Sequence, residues 1–364
     1  MNTLIEDLET PAVLIDLDVL EANIAGQAER ARRAGVKLRP HGKTHKVPEV
    51  GRMQLAAGAA GLTLAKIGEA EVFADAGFLD IFLAYPIVGA EKARRLLALS
   101  DRLHLSVGAD SVEGAATLSE VFHAAHRTLE VLLKIDTGLH RVGVLPDRAL
   151  KVARRIAELP GIDLAGIFTH AGQAYHEETP EGVASVGRAE GETMVRVAQE
   201  LRSTGLTIRE VSVGSTPTSP QAMRVAGVTE CRPGNYVYND ASQVCLGACA
   251  LSDCAMTVVA TVISVPAKDR AVLDTGSKTL SSDPLRPKPG GHGFVLGRQS
   301  RIVSLSEEHG VVQIVAGESF RVGERVRVLP NHACVVSNLH ARLQVVRDGH
   351  VETVWPVAAR GRVD

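Results

Sequence analysis

The sequence predicts an α/β protein: a (β/α)8 barrel of the TIM type followed by a C-terminal β-rich domain. Three observations predict it. Up to about residue 245, short β-branched or apolar runs alternate with longer stretches rich in Ala, Leu, Glu and Arg, the rhythm of strands each followed by a helix. Beyond that point helical periodicity fades, and short runs broken by Gly, Pro or Asp take over, the mark of a compact β domain. Finally, no G-x-G-x-x-G follows an early strand, which disfavours a doubly wound open sheet.

Taken in order, barrel strands are read at 36–39, 61–65, 79–84, 103–107, 129–135, 164–169, 208–213 and 228–232. Each is a short run of strand length that is apolar or rich in β-branched residues. Helices are read between them, for example at 67–76, 90–99, 147–158 and 187–203. The later strands are expected at 257–265, 270–274, 293–295, 311–314, 325–329, 343–347 and 351–355, with an exposed Pro/Gly-rich loop over 283–293. An extended opening run at 12–16 could join either part; we assign it to the second. The division is then a barrel over 18–245 and a β domain over 246–364 together with residues 1–17. Neither repeats nor low-complexity tracts are visible.

Composition narrows the class. With 40 Lys+Arg against 42 Asp+Glu the net charge is -2, so no electrostatic footprint for nucleic acid or an anionic membrane exists. Aromatic residues are 3% of the chain, too few for base-stacking platforms. The longest apolar runs are far too short to span a bilayer. The opening seven residues are acidic and show no basic-then-apolar targeting pattern. Five cysteines read as reduced thiols in a cytoplasm.

In a barrel, chemistry gathers at the C-terminal ends of the strands. There the chain places Pro40-His41-Gly42-Lys43-Thr44-His45-Lys46, then Asp136-Thr137-Gly138-Leu139-His140-Arg141, His170-Ala171-Gly172-Gln173-Ala174-Tyr175, Gly214-Ser215-Thr216-Pro217-Thr218 and Pro233-Gly234-Asn235-Tyr236. Lys43 is the focus: a shielded lysine can form a Schiff base with a carbonyl, and His41, His45 and Lys46 add local positive charge. Taken alone, such a lysine is more often part of a solvated basic loop. Gly214-Ser215-Thr216, with Gly234-Asn235-Tyr236 as a second edge, offers the backbone N–H groups and hydroxyls that a phosphate needs. Together they point to a carbonyl cofactor bearing a phosphate, pyridoxal 5′-phosphate. In the β domain, Asn331-His332-Ala333-Cys334 reads as extended, so His332 and Cys334 present an imidazole and a thiolate on one side, a fit for zinc or a similar divalent ion. Cys245, Cys249 and Cys254 match no metal-knuckle spacing and read as buried small hydrophobes. Lys278 reads as structural.

These motifs resemble the D-serine dehydratase and D-threonine aldolase family, fold-type III pyridoxal phosphate enzymes with an alanine-racemase-like barrel. The resemblance runs in order along nearly the whole chain, on Arg39-Pro40-His41-Gly42-Lys43-Thr44-His45-Lys46, Gly214-Ser215-Thr216-Pro217-Thr218, Pro233-Gly234-Asn235-Tyr236 and Asn331-His332-Ala333-Cys334. It implies that Lys43 is the aldimine lysine, that Arg141 lies by the cofactor ring, and that Ser215, Thr216, Gly234 and Tyr236 hold its phosphate region. His170, Tyr175, Gly214 and Asn235 complete the cofactor-binding candidates. It also implies a catalytic divalent metal, zinc or else manganese or magnesium, on His332 and Cys334, a small D-amino acid substrate, and a homodimer. Thr169-His170-Ala171-Gly172, Gly214-Ser215-Thr216-Pro217-Thr218 and His332-Ala333-Cys334 look like the dehydratases, whereas Asn338-Leu339-His340 and the tail over 351–361 are similar to the aldolases. Weighting the residues nearest cofactor and metal gives a dehydratase of D-serine or D-3-hydroxyaspartate type. D-threonine-type retro-aldol cleavage is the alternative, and an amino-acid racemase the rival from another class.

Overall fold

The computed structural model describes residues 3–285 and 290–364; residues 286–289 of the loop expected over 283–293 lie outside the described residues. Strand β1 (Ala12–Asp16) opens the chain. Asp16 then caps helix α1 (Leu17–Ala34), its Oδ1 accepting the Val19 N–H at 3.1 Å, and the helix buries Leu20, Ile24 and Ala31 on one stripe. Helix α1 ends at Gly35, whose φ of 69° is the left-handed C-cap conformation.

Eight parallel strands follow: β2 (Lys37–Leu38), β3 (Leu62–Leu64), β4 (Asp80–Pro86), β5 (His104–Ala109), β6 (Leu129–Lys134), β7 (Ile162–Phe168), β8 (Glu210–Val213) and β9 (Glu230–Cys231). They pair in the order β2-β9-β8-β7-β6-β5-β4-β3. The ring closes between β2 and β3, where His41 bridges Thr63 and the Ala60 N–H donates to the Leu38 carbonyl at 2.8 Å. The main apolar core lies between strands and helices, and a smaller cluster of Phe82, Leu132, Ala165 and Phe168 is separate from it. Strands β2 and β9 are shorter than expected because Pro40 and Pro233, just beyond them, have no N–H for the ladder.

The rest of the chain forms β10 (Met256–Ala267), β11 (Arg270–Leu273), β12 (Phe294–Val295), β13 (Arg301–Leu305), β14 (Gly310–Gln313), β15 (Arg325–Leu329), β16 (Arg342–Arg347) and β17 (His350–Pro356). The sheet order is β11-β14-β13-β12-β15-β10-β1-β16-β17, and β10 also pairs with β11, so the first six strands close on themselves. The opening strand β1 is thus an interior member of this second sheet, antiparallel to β10 and parallel to β16. Further features differ from the sequence reading: strand β13 was not expected, and Ala333 and Cys334, read as extended, begin a helix (Ala333–Leu339). Among the described residues, no helix is long and apolar enough to cross a membrane.

Candidate active site

The loop after β2 presents Lys43 at the barrel mouth. Its turn is tied down by the Gly42 N–H donating to Thr63 and the Lys46 N–H donating to Gly42, both at 2.8 Å. The basic neighbours then part company. His45 is buried with its Nδ1 against the Val47 backbone, and Lys46 forms a buried ion pair with Glu69 at 3.0 Å. Only His41 stays with Lys43 on the cavity wall.

That wall belongs to a cavity of about 240 Å³ which collects Lys43, Arg141, His170, Tyr175, Ser215 and Thr216 with Gly234, Asn235, His332 and Cys334. Gly214 lines an adjoining cavity of about 450 Å³ that shares Lys43, Arg141 and His170 with the first. Tyr236 lines neither: its hydroxyl accepts from Gln54 Nε2 at 3.1 Å, while its backbone N–H donates to Thr216 Oγ1 at 3.1 Å. The structure therefore brings the sequence-selected residues together, with Tyr236 contributing backbone alone.

Two glycines are required by close approach. At Gly214, φ is 145° and a Cβ would stand 2.7 Å from the Arg232 nitrogen; at Gly234 a Cβ would stand 2.9 Å from Thr44 Oγ1. Beneath the first loop lies Glu190, accepting from the Gly214 N–H at 2.9 Å and from Thr218 Oγ1 at 2.7 Å. Ser215 Oγ and Thr218 Oγ1 are 2.9 Å apart. Asp136 shapes the Arg141 loop, its Oδ1 accepting from the Gly138 and His140 N–H groups at 2.9 and 3.1 Å.

Burial pushes His170 down to about 3, with the Lys43 charge acting the same way, so it faces the cavity as a neutral imidazole whose Nδ1 meets the Gly214 carbonyl at 3.0 Å. Burial, joined by Arg141, Arg232 and Lys43, lowers Lys134 to about 8. At the other side, burial opposes charge on both His332 and Cys334, yet each favours the charged form of the other. The Cys334 charge and Asp283 push His332 up to about 11, and the His332 charge holds the Cys334 thiol below its usual range. His332 Nδ1 lies 2.7 Å from Asp283 Oδ2, and Cys334 Sγ lies 3.2 Å from Thr44 Oγ1. His332 is the extended residue ahead of the helix and Cys334 sits in its first turn, so the two meet by a helix start rather than by strand alternation.

The residues fit the implied groups. The cavity that holds Ser215, Thr216, Gly234 and Asn235 also carries Lys43, Arg141 and Arg232, and its described lining has no carboxylate, a surplus of cations suited to a phosphate dianion. A thiolate and an imidazole, with the second imidazole nitrogen held by a carboxylate, are what a divalent metal takes. Among the described residues no group of three or more His, Cys, Asp or Glu gathers to hold a metal, so such an ion on His332 and Cys334 keeps open positions.

Sequence reading missed several of these groups. Lys134 was detectable as a charge closing an apolar strand, and Arg232 as the residue leading into Pro233-Gly234. Glu190, Asp240 and Asp283 carry no local signal.

Strand-end lysine, Gly-framed cradle and a second β domain define the alanine-racemase-like class of barrel enzymes. Family models agree: "Alanine racemase, N-terminal domain" matches residues 15–242 and "Putative serine dehydratase domain" matches 255–346. The chain is 37% identical over 367 residues to a D-threo-3-hydroxyaspartate dehydratase of Delftia sp. (strain HT23), covering 95% of this chain and 96% of that one. It is 33% identical to a D-threonine aldolase of Arthrobacter sp., covering 97% and 93%. Among solved structures, the D-threonine aldolase from Filomicrobium marinum superposes with a TM-score of 0.92 at 31% identity over 100% of this chain and 99% of that one. A variant of a D-threo-3-hydroxyaspartate dehydratase, solved in a metal-free form, gives 0.91 at 36% over 98% and 99%. The chain belongs to the D-serine dehydratase and D-threonine aldolase family of fold-type III pyridoxal phosphate lyases.

Proposed function

We propose that this chain is a pyridoxal phosphate- and divalent-metal-dependent dehydratase of D-3-hydroxy amino acids, of the D-serine or D-3-hydroxyaspartate type. The observation that carries the reading is one cavity in which Lys43 faces His332 and Cys334. When bound, pyridoxal phosphate supplies an electron sink that acidifies Cα, and the metal supplies a Lewis acid for the β-hydroxyl. Lys43 holds the cofactor and, once released, takes the Cα proton as general base. His170, Tyr175 and Arg141 wall the ring, while Gly214, Ser215, Thr216, Gly234, Asn235 and the Tyr236 backbone frame the phosphate. His332 and Cys334 hold the metal, with zinc as the first choice and manganese or magnesium as alternatives. The reading also carries the division into a barrel over 18–245 and a β domain over 246–364 with residues 1–17, a homodimeric assembly and a cytoplasmic setting.

Retro-aldol cleavage to glycine and an aldehyde is the second reading, favoured by the aldolase-like Asn338-Leu339-His340 and tail. Those segments lie off the cavity: His340 Nε2 meets the Thr279 carbonyl at 3.1 Å, and the Gly361 N–H donates to Asn338 Oδ1 at 3.1 Å. From the dehydratase-like motifs His170, Ser215, Thr216, His332 and Cys334 line it, which supports the order of preference. Offering D-serine, D-threonine and D-3-hydroxyaspartate with cofactor and metal tests it. An α-keto acid with ammonia is the expected outcome; glycine with an aldehyde establishes the aldolase. Racemised amino acid formed at full rate in chelator would instead establish a racemase.

A further inference from the structure

Asp240 joins the two halves of the site. It lies beyond β9, after the single helical turn Asn235–Val237, and is 0% exposed. Its carboxylate receives three donors from three directions. Asn235 Nδ2, on the barrel loop, donates to Oδ2 at 2.5 Å; the Ala333 N–H, between His332 and Cys334, donates to the same oxygen at 2.9 Å. The Gln243 N–H donates to Oδ1 at 3.0 Å. The same segment is pinned to the β domain by the Ala241 N–H donating to the Pro330 carbonyl at 3.0 Å and by Ser242 Oγ donating to the Asn331 carbonyl at 2.8 Å.

In all three contacts this side chain is the acceptor. The Asn235 amide turns its NH2 to Asp240, which leaves Asn235 Oδ1 buried at the cavity wall with no partner among the described residues. One carboxylate thus sets both the orientation of Asn235 beside the proposed phosphate cradle and the position of the backbone between the two proposed metal ligands. We infer that Asp240 is a positioning residue that fixes the His332–Cys334 turn against the barrel loop, so that metal affinity depends on a group that does not ligate the metal. This rests on the metal reading given above. Asp240 holds the ligand-bearing backbone as carboxylates elsewhere hold ligating histidines, and loss of such outer support typically weakens metal binding by about 10–100-fold.

The substitution Asp240→Asn tests it sharply. Either orientation of the new amide sets an NH2 against an N–H donor, because both oxygens of Asp240 are used. Pyridoxal phosphate-loaded protein would be stripped with chelator and titrated with Co(II), following the thiolate-to-cobalt charge-transfer band. The wild type is expected to show a band that Cys334→Ala abolishes. Asp240→Asn is expected to bind Co(II) at least about tenfold more weakly, with a shifted band. Asn235→Ala keeps both backbone donors and removes the barrel arm alone, so it carries the test if Asp240→Asn does not fold. It is expected to weaken Co(II) several-fold, although no hydrogen bond joins Asn235 to His332 or Cys334. Wild-type affinity and band in these variants would overturn the role of Asp240. A wild type with no Cys334-dependent band would instead overturn the metal reading on which it stands.

Discussion

Lys43 and Lys134 enter one cavity with different consequences. Lys43 has a defined partner in the proposed chemistry, whereas the Lys134 ammonium stands 5.2 Å from the Phe168 ring, with the charge of Asp110 offsetting part of its burial. Borohydride reduction of cofactor-loaded protein is expected to fix pyridoxal phosphate to Lys43, and Lys43→Ala to lose both the adduct and nearly all turnover, as peptide mapping and assay would show. The competing lysines are engaged elsewhere: Lys46 with buried Glu69, and Lys278 with Glu307 and Glu308 on the surface, as its structural reading anticipated. An adduct on either would refute the assignment. Lys134 yields a pH prediction. Its folded-state value falls from 10.5 to about 8, so below 8 the native state holds a proton it binds poorly, and stability rises with pH between the two values. Removing the group should therefore stabilise the cofactor-free protein at pH 7, by at most about 3 kcal/mol. Lys134→Met is expected to melt higher than wild type at pH 7, with the advantage gone above pH 10.5. An advantage independent of pH would assign the effect to packing instead.

At the scale of elements, β1 ties the beginning of the chain to its end. Val13 and Ile15 enter the main β-domain core while Leu14 enters a second cluster with Val259, Val346 and Val351. Both faces are buried, so Ile15→Ala should leave a cavity and cost about 2–5 kcal/mol. Chemical denaturation followed by Trp355, which packs against the same core as Ile15, measures it; an unchanged midpoint would show that β1 is dispensable. Strands such as β4 and β6 were legible because strands covered on both faces read as apolar runs, here 81–84 and 131–133. The 333–339 helix was not, since Val335-Val336 favours an extended reading. Its first amide, that of Ala333, is received by Asp240, 93 residues earlier. The three cysteines 245, 249 and 254 depart from expectation too. They are half-buried rather than buried, lying on or beside the connection that leads into β10.

For the whole molecule, the metal and the fold should separate. His332, Cys334 and the turn between them already have protein partners in Asp283, Thr44 and Asp240, and two ligands cannot close a structural zinc site. Chelation is therefore expected to stop turnover while leaving the melting temperature within a few degrees; a collapse of the melting temperature would make the ion structural. By itself the sequence determined the barrel, the β domain and the residue types of the site, because burial pattern and strand-end chemistry are local properties written every few positions. Tertiary structure alone decided which of them face one another. It sent His45 and Lys46 away from Lys43, turned the Tyr236 phenol to Gln54, and set Glu190 and Asp240 beneath the loops. A buried acid is placed by the donors it must satisfy, and those donors come from distant parts of the chain that only the closed fold brings within hydrogen-bond reach.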